Sequence, residues 1–524
     1  MSETRKKDGK HAGWVPWAVF GGALAATFVL GMVVVTVMER RWETTQPQLV
    51  VTPVAEWETD NAVWGQNYPR EYETYLETKT EDTRTEFGGS FQRDYLEDDP
   101  RQVILFAGYG FSKDFKQARG HYWAVDDIRD TGRTTRPDGT DTGMPGTCWT
   151  CKSPDVPRLM NERGIAEFYN DTWLDLKEHV EHPIGCLDCH DPETMNLRVS
   201  RPALREAFAR QGKDIDEAGH QEMRSLVCAQ CHVEYYFGNN PDENKDLTFA
   251  HKGKYLVHPW DEGLTVDEFD AYFEKRPDFH DWVHPISGTH MIKMQHPDWE
   301  VFETGIHAFR GVSCADCHMP YRSEGGVKFT NHHVQSPLLD IASSCGVCHR
   351  WSEAEVKSRV ETIQQKNADL RISAEDALVF AHFDVAACIE AGASDTELEP
   401  LRDGLWRAQM RWDYVAANNG MGFHSPQECA RVLADAIDLA HQVRILAVRL
   451  LAIHGITQPP AYPDISTRAK ALAVITAFEK AAGDESLPPP SLLTQAPAPP
   501  PADEPPPSDA STTGDAPEET TPTP

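Results

Sequence analysis

The sequence is short of basic residues, with 50 Lys and Arg against 82 Asp and Glu and a formal net charge of −32. Nucleic-acid-binding proteins need a basic surface, so this balance excludes nucleic acid as a partner. Lys and Arg are absent altogether after Lys480, and residues 484–524 consist mostly of Pro, Ala, Ser, Thr, Asp and Glu. Because such a composition cannot bury a core, we predict a disordered, acidic, Pro-rich tail over 484–524.

Charge of either sign is absent from residues 14–38. This stretch of 25 mostly apolar residues is long enough to cross a bilayer as a helix. The four basic residues within 1–13 predict a cytoplasmic N-terminus, which would put the rest of the chain at the periplasmic face of a bacterial cytoplasmic membrane. A cleaved signal peptide is the alternative, but its apolar core is usually shorter. We therefore favour a single N-terminal anchor over 14–38.

Cysteine is almost confined to pairs with the spacing C-x-x-C, which hold ten of the twelve. Four of these pairs are followed directly by histidine: Cys186/Cys189/His190, Cys228/Cys231/His232, Cys314/Cys317/His318 and Cys345/Cys348/His349. C-x-x-C-H is the attachment signal of c-type haem, in which the cysteines form thioethers and the histidine binds the iron. Zinc ribbons also use C-x-x-C, but they do not require the following histidine. The pattern therefore favours haem, with zinc as the alternative.

The fifth pair, Cys148/Cys151, is followed by Lys152. A lysine amine is protonated at neutral pH and must lose its proton before it can bind iron. One interpretation is a haem whose iron carries Lys152 on one face and substrate on the other. The other interpretation is a surface lysine, with this iron bound by a remote histidine. The residues alone leave both open.

The iron of each C-x-x-C-H haem has a second axial position. A second histidine there would close the iron to substrate and make the haem an electron carrier. The chain has 22 histidines, of which four are in the motifs, so candidates are plentiful. A lone histidine is most often a surface or core residue, and the sequence pattern does not choose among them.

The chain from Gln92 to Arg350 has short apolar runs and few stretches with long helical periodicity, as expected where cofactors form the interior. From residue 353 onward, apolar residues recur at intervals of three and four. We predict helices over 353–391, 397–418 and 425–454, and a shorter one after 464–467. These form an antiparallel helical region, whose expected role is packing or, alternatively, a dimer interface.

Over residues 57–482 the sequence resembles the pentahaem, ammonia-forming cytochrome c nitrite reductases. The resemblance rests on four motifs: R-G-H at 119–121, C-W-T-C-K-S-P-D-V at 148–156, C-A-Q-C-H-V-E-Y-Y-F at 228–237 and K-M-Q-H-P at 293–297. It implies a mainly α multihaem cytochrome c domain with little sheet and long C-terminal helices. It also implies five covalently bound haem c groups, one calcium ion and a homodimer.

The resemblance gives roles to the residues around the exceptional motif. It implies that Lys152 ligates the catalytic iron and that nitrite binds opposite, through its nitrogen. Arg133, Tyr235 and His296 match the active-site residues of the family. Their chemistry fits, since an arginine offers a charged fork to an anion and a histidine can donate a proton near neutral pH. A tyrosine hydroxyl adds a neutral donor or acceptor.

The resemblance also implies a distal histidine for each closed haem. His121 serves the haem of Cys228/Cys231, His307 that of Cys345/Cys348, His332 that of Cys186/Cys189, and His424 that of Cys314/Cys317. The neighbouring His332 and His333 leave a one-residue ambiguity, in which we take His333 as the non-ligand. Calcium would bind the side chains of Glu234 and Gln295 and the backbone carbonyls of Tyr235 and Lys293, an all-oxygen set that suits this cation.

These features divide the chain into segments. Polar residues 42–90 predict a tether, with a linker at 39–56, a pentahaem catalytic region at 57–350 and a helical region of the same domain at 351–483. Cys388 and Cys429 lie outside every motif, and a disulfide between them in an oxidising compartment is a hypothesis that the sequence leaves open.

The predicted function is a membrane-anchored reductase that converts nitrite to ammonium with six electrons. Its expected electron donor is a membrane quinol-oxidising multihaem cytochrome. The alternatives are reduction of sulfite or hydroxylamine at the same iron, and a multihaem electron-transfer conduit that has no substrate.

Overall fold

The computed structural model describes residues 15–45, 52–80, 84–129, 131–136, 138–140, 142–238, 254–484 and 486–494. Several predicted segments lie partly or wholly outside these described residues. They are the cytoplasmic segment 1–13, Trp14 at the start of the anchor, residues 46–51 of the linker and residues 495–524 of the tail.

The described backbone is mainly helical. Its α-helices are α1 Val15–Thr45, α2 Asn61–Gly65, α3 Pro69–Thr80, α4 Tyr95–Asp98, α5 Arg101–Leu105, α6 Asp126–Arg129, α7 Asp155–Arg163, α8 Ile165–Asn170, α9 Trp173–Lys177, α10 Cys186–Cys189, α11 Pro202–Arg210, α12 His220–Ala229, α13 Val266–Glu274, α14 Asp298–Glu303, α15 Ile306–Phe309, α16 Cys314–His318, α17 Ile341–Ser344, α18 Glu353–Glu390, α19 Asp395–Ala416, α20 Pro426–Ile453 and α21 Arg468–Gly483. Short 3-10 helices cover Gly110–Ser112, His121–Trp123, Gly146–Cys151, Ile215–Glu217 and Pro337–Leu339.

Strands are few and short in the described part of the chain. They form two-stranded antiparallel pairs: β1 Arg84–Thr85 with β2 Gly88–Gly89, β3 Arg93–Asp94 with β4 Lys116–Gln117, β5 Tyr236–Gly238 with β6 Tyr255–Val257, β7 Trp282–Val283 with β8 His290–Met291, and β9 Tyr321–Glu324 with β10 Val327–Thr330. The predicted mainly α class, with little sheet and long C-terminal helices, is confirmed.

The cysteine motifs lie on or at the ends of short helical turns. α10 and α16 each begin at the first cysteine of a pair, and Cys151 ends the 3-10 helix Gly146–Cys151. One helical turn brings residues three apart to the same side, so the two cysteines of a pair face one way. From α2 to α17 no described helix is longer than 12 residues. The prediction of few long helices in this region is confirmed.

The C-terminal helices form a bundle whose predicted bounds hold to within a few residues. α18 begins with a capping box, in which the Ser352 hydroxyl accepts a hydrogen bond from Glu355 N and the Glu355 carboxylate accepts one from Ser352 N. Buried contacts show the direction of α19: His382 meets Gln409, whereas Glu375, earlier on α18, meets Trp412. α19 therefore runs antiparallel to α18.

The N-terminal helix α1 carries exposed apolar side chains along Val15–Met38, with a mean hydropathy of 2.3. By length and composition this span could cross a membrane. The helix itself continues beyond the predicted end of the span at Met38, to Thr45.

The predicted tether over 42–90 is wrong for most of its length, because α2 and α3 belong to the folded domain. Asn61 Oδ1 accepts a hydrogen bond from Cys186 N at 2.8 Å, and the Tyr75 hydroxyl donates to the Ile184 carbonyl at 3.0 Å. These contacts fix α2 and α3 against the turn of a cysteine motif. Polar composition misled the prediction, because here polar side chains bind backbone groups of the domain.

The predicted disorder of the tail is wrong for residues 486–494. Leu492 is only 3% exposed and packs into the main core. The Glu390 carboxylate at the end of α18 accepts hydrogen bonds from Leu492 N at 2.7 Å and Leu493 N at 3.2 Å. Two leucines in a Pro-rich stretch are thus enough to extend the folded domain.

The predicted disulfide between Cys388 and Cys429 is wrong, since both are free thiols buried in the described bundle. Cys388 lies near the end of α18, where its Sγ is 3.5 Å from the Ala447 carbonyl oxygen on α20. Ala447 is 18 residues after Cys429 on the same helix, or about 27 Å at the α-helical rise. That length of helix separates the two thiols.

Replacing Leu492 with Ala should lower the free energy of unfolding by about 2–5 kcal/mol, because it removes a buried side chain from a packed core. Leu487→Ala is the matched control, since Leu487 is 47% exposed in the same segment. Urea unfolding followed by far-UV circular dichroism measures both. Equal midpoints for the two variants would contradict the docking of this segment.

Candidate active site

Four pairs of histidine rings face each other in the folded chain. The distances between ring centroids are 6.4 Å for His121 and His232, 6.2 Å for His190 and His332, 6.4 Å for His307 and His349, and 6.3 Å for His318 and His424. Each pair joins the histidine of one C-x-x-C-H motif to the remote histidine predicted as its partner. The neighbouring His333 instead lies 3.1 Å from Glu77, so His332 is the ring opposite His190.

The spacing of these rings fits one metal ion between them. Metal–imidazole bonds of about 2.0 Å put two trans nitrogens about 4 Å apart, and the depth of both rings adds the rest. Burial lowers the pKa of His121, His190 and His318 to about 4, with the facing ring adding to the effect in each case. These imidazoles are therefore neutral, which is the form that binds a metal.

Hydrogen bonds orient several of these rings. Nδ1 of His190 donates to the Met195 carbonyl at 2.9 Å, and Nδ1 of His318 donates to the Gln335 carbonyl at 2.9 Å. His332 donates from Nδ1 to the Thr330 carbonyl at 2.8 Å. With Nδ1 occupied as a donor, Nε2 is the nitrogen left for a metal, as is common for metal-binding histidines.

The cysteine pairs follow one another through the domain. The thiol of Cys151 is within hydrogen-bonding reach of Cys231, and that of Cys228 is within reach of Cys314. Cys317 lies near Cys345. This places the pairs in the order 148/151, 228/231, 314/317 and 345/348. The remaining pair, 186/189, lies beside Cys228.

Cys348 differs from the other predicted haem-binding cysteines. It is exposed, whereas the nine other motif cysteines are partly buried. Val347 and His349 beside it are exposed as well. The physical reason is the position of this turn at the domain surface, where Cys345 packs at the margin of a small apolar cluster between α17 and α18. Cys348 stays a predicted haem anchor, at the outer end of the line of pairs.

Three residues matched to the active site, Arg133, Tyr235 and His296, gather around the motif that ends in Lys152. Arg133 and Tyr235 both interact electrostatically with Cys148, and His296 with Cys151 and Lys152. The Arg133 guanidinium lies 4.2 Å from the centroid of the Phe111 ring. Its Nε is buried, and no described residue accepts a hydrogen bond from it. This arrangement leaves a cationic donor available to an anion.

Burial and neighbouring charges set the protonation of these groups. Burial raises the pKa of Tyr235 well above its usual value, with Cys151 adding to the effect, so its hydroxyl keeps its proton. Burial lowers the pKa of Arg133, although Asp114 opposes it. Burial also lowers the pKa of His296, but the Asp298 carboxylate outweighs it and raises that pKa overall. His296 therefore holds a proton more readily than an isolated histidine.

Asp298 is a site residue that sequence reasoning missed. Its Oδ2 lies 3.0 Å from Nδ1 of His232 and 3.0 Å from Nδ1 of His296, so one carboxylate joins a haem-motif histidine to a candidate active-site histidine. Asn418 Nδ2 and Asn419 N, at the end of α19, both donate to its Oδ1 at 2.6 Å. No motif signals this contact, because it depends on segments 66 and 120 residues apart.

Tyr109 is a second residue missed from sequence. Its hydroxyl lies near Gln295 and interacts electrostatically with Arg133 and Cys148. Its ring stacks on Trp282 with centroids 4.7 Å apart. The phenol therefore belongs to the lining of the same site.

The predicted calcium ligands also come together. The buried Glu234 carboxylate accepts hydrogen bonds from Gln295 N at 2.7 Å and His296 N at 3.2 Å, joining the segments that follow the third and precede the fourth cysteine pair. Burial, followed by the nearby Glu300, raises the pKa of Glu234 well above its usual value. A carboxylate this poorly solvated fits a bound hard cation, and the Gln295 amide is a further oxygen donor of the right type.

The ammonium of Lys293 is neutralised within the protein. Its Nζ lies 2.8 Å from Oδ1 of Asp413 on α19, and Asp413 Oδ2 accepts a hydrogen bond from Met294 N at 2.9 Å. Both side chains of the ion pair are almost fully buried. The pair fixes the backbone that leads to Gln295 and His296.

Comparison with known proteins identifies the chain. The family model for cytochrome c552 matches residues 60–487. The chain belongs to the cytochrome c552 family. It is 48% identical over 467 residues to the cytochrome c-552 of Bacteroides fragilis, covering 88% of this chain and 92% of that one. It is 45% identical over 473 residues to the cytochrome c-552 of Porphyromonas gingivalis, covering 89% and 92%.

The cytochrome c552 fold also matches a solved structure, the catalytic subunit of cytochrome c nitrite reductase from Desulfovibrio desulfuricans, which is described with two calcium sites. The TM-score is 0.70 at 32% identity, covering 76% of this chain and 88% of that one. The predicted family resemblance and the predicted multihaem cytochrome c domain are confirmed.

Replacing Asp413 with Ala should destabilise the protein by about 3–5 kcal/mol, since it leaves the Lys293 ammonium buried without its partner. Glu479→Ala is the control, because it breaks the partly exposed pair with Lys113 and should cost about 1 kcal/mol or less. Urea unfolding midpoints measure both. Equal losses in the two variants would contradict the role given to the buried pair.

Proposed function

We propose that this cytochrome reduces nitrite to ammonium, with six electrons, at the haem attached to Cys148 and Cys151. The observation that carries the proposal is the contrast among the motifs. Four motif histidines face a second ring at 6.2–6.4 Å, whereas the motif ending in Lys152 is surrounded by Arg133, Tyr235 and His296. The similarity to a solved cytochrome c nitrite reductase supports the same activity.

In this proposal the five cysteine pairs hold five haem c groups, and Lys152 is the protein ligand of the catalytic iron. The closed haems take His190 with His332, His232 with His121, His318 with His424, and His349 with His307. The haem groups supply redox-active iron and, at the Cys148/Cys151 site, the place where nitrite binds through nitrogen. Glu234, Gln295 and the carbonyls of Tyr235 and Lys293 would hold one calcium ion, which ties the Tyr235 and His296 segments together.

The side chains of the site bind and orient the anion. Arg133 is a permanent cation, and its buried, unpartnered Nε can donate to a nitrite oxygen. Its guanidinium is held in place by the Phe111 ring. The neutral Tyr235 hydroxyl adds a donor without adding charge. Together they fix nitrite while leaving its nitrogen free to face the iron.

His296 is the proposed proton donor. Its Nδ1 lies at Asp298, so the proton that it can release is at Nε2. Asp298 raises the pKa of His296 and keeps it charged to higher pH, which favours donation to an oxygen that leaves as water. The same carboxylate holds His232, so the proton donor and a ligand of the neighbouring haem share one anchor.

Electrons would reach the site along the line of cysteine pairs, from 345/348 through 314/317 and 228/231 to 148/151. The exposure of Cys348 supports this direction, because a haem that receives electrons from another protein must lie near the surface. We propose that α1 anchors the enzyme at the periplasmic face of the cytoplasmic membrane, where its donor is a quinol-oxidising multihaem cytochrome.

The segments keep their predicted roles in this proposal. Residues 57–350 form the pentahaem catalytic region and 351–483 the helical region of the same domain. Ile445, Val448 and Ile453 leave an exposed apolar face on α20 that supports a homodimer.

The direct test is turnover of nitrite by the purified protein with a reduced viologen dye, assaying ammonium, for wild type and Lys152→His. We expect stoichiometric ammonium from wild type, and retained haem with most activity lost in the variant. Lys213→His, at an exposed lysine, is the control. A wild type that accepts electrons but consumes neither nitrite, hydroxylamine nor sulfite would be a conduit, and faster turnover of sulfite would change the assigned substrate.

Arg133→Lys should lower kcat/KM for nitrite by about 100-fold, because a lysine keeps the charge but loses the fork that holds an anion. Arg136→Lys is the matched control, since Arg136 is an exposed arginine in the same loop. Steady-state kinetics with reduced viologen measure both variants. If both retain wild-type kcat/KM, Arg133 does not bind the substrate.

A further inference from the structure

A buried arginine between the haem motifs is not used by the mechanism above. Arg201 precedes α11 and is 1% exposed. Its Nε donates to the Thr150 carbonyl at 2.7 Å and its Nη2 to the Ser153 carbonyl at 2.8 Å. Thr150 lies inside the Cys148/Cys151 pair, and Ser153 directly follows Lys152. The guanidinium therefore holds the backbone on both sides of Lys152.

The same segment binds the inner residues of two other motifs. Arg201 Nη2 donates to Oδ1 of Asp188, which lies inside the Cys186/Cys189 pair, at 2.6 Å. Gln230, inside the Cys228/Cys231 pair, accepts at Oε1 from Ser200 N at 2.9 Å and Arg201 N at 3.1 Å. Its Nε2 donates to the Asp188 carbonyl at 2.8 Å. Three haem-binding turns are thus joined through residues 200–201.

Burying a guanidinium costs several kcal/mol unless its donors are engaged. Here Nη1 donates to the Ser200 hydroxyl at 2.6 Å, so that with Thr150, Ser153 and Asp188 four of the five N–H donors have a partner. Burial lowers the pKa of Arg201, but Asp188 outweighs it and keeps the group charged. Because a planar fork must reach several acceptors at once, no other cationic side chain fits this place.

Other contacts hold the outer side of the same turn. The Lys152 N–H donates to the Trp149 carbonyl at 2.9 Å, and the Trp149 ring stacks on Trp173 with centroids 3.6 Å apart. These contacts do not involve Arg201. The turn should therefore keep its general shape without Arg201, while the backbone on either side of Lys152 gains freedom.

We propose that Arg201 is a positioning residue that aims the Lys152 amine at the catalytic iron by fixing the carbonyls on both sides of it. The inference rests on the proposed ligation of that iron by Lys152. It predicts that loosening Arg201 lets Lys152 leave the iron in a fraction of the molecules. The haems of Cys314/Cys317 and Cys345/Cys348 should not change, since their motifs do not contact Arg201, whereas the Cys186/Cys189 and Cys228/Cys231 motifs share its network through Asp188 and Gln230.

The test uses the full-length haem protein and the variant Arg201→Lys, which keeps the charge but cannot reach all four acceptors. We expect five haems per chain, unchanged signals from the haems of Cys314/Cys317 and Cys345/Cys348 in electron paramagnetic resonance, and more than one population in the signal of the catalytic haem. The kcat for nitrite should fall about 10–100-fold, as for other residues that orient a metal ligand. Arg205→Lys, at a partly exposed arginine in α11, is the control.

A wild-type signal and wild-type kcat in Arg201→Lys would overturn the inference. Parallel changes in all five haems would also overturn it, because they would mean a general structural role. Should Arg201→Lys fail to take up haem, Ser200→Ala removes the acceptor of Nη1 together with the contacts of the Ser200 hydroxyl to Asp188 and Gln230, and should split the same signal in a smaller fraction of molecules. An unsplit signal there counts against the inference. Because these signals need no turnover, absence of nitrite reduction in wild type would reject the proposed function separately.

Discussion

The fold depends on pairs of histidine rings from remote parts of the chain, which face each other at the distance that one metal ion between them would require. His121 and His232 do so across 111 residues, and His318 and His424 across 106. Such pairings set where loops and short helices must lie, and they leave little room for long helices between α2 and α17. The long helices α18–α20 pack by ordinary side-chain contacts and lie after the last motif.

The same constraint explains where buried polar groups are found. Cofactor-binding turns need fixed orientations, and in this chain charged side chains provide them: Asp298 holds His232 and His296, and Arg201 holds the turn of Lys152. The charged groups of Asp298 and Arg201 both have several hydrogen-bond partners, which offset the free-energy cost of removing a charge from water. The polar network thus links the candidate active site to the neighbouring Cys228/Cys231 motif.

Motifs and periodicity made the haem-binding turns, the apolar N-terminal helix and the C-terminal helices predictable, because those signals are local. The roles of Asp298 and Tyr109 could not be predicted, because each depends on contact with a segment that is remote in sequence. Asp298 meets Asn418, and Tyr109 meets Gln295. Composition predicted the wrong state where a few apolar residues pack on the core, as Leu492 does within the Pro-rich tail. The hypothesis of a Cys388–Cys429 disulfide is wrong because the sequence does not show which ends of two helices are neighbours. The exposure of Cys348 was missed for a related reason, since a motif does not show how deep its turn lies.

The most direct measurement of the central claim is titration of the fully oxidised protein with nitrite, followed by electron paramagnetic resonance. The account predicts four signals of histidine-ligated haems that do not respond and one distinct haem that does. That haem should be lost as a separate species in a chain lacking Cys148 and Cys151. Five unresponsive haems would mean that every iron is closed by protein ligands, and would contradict the existence of an open site at Lys152.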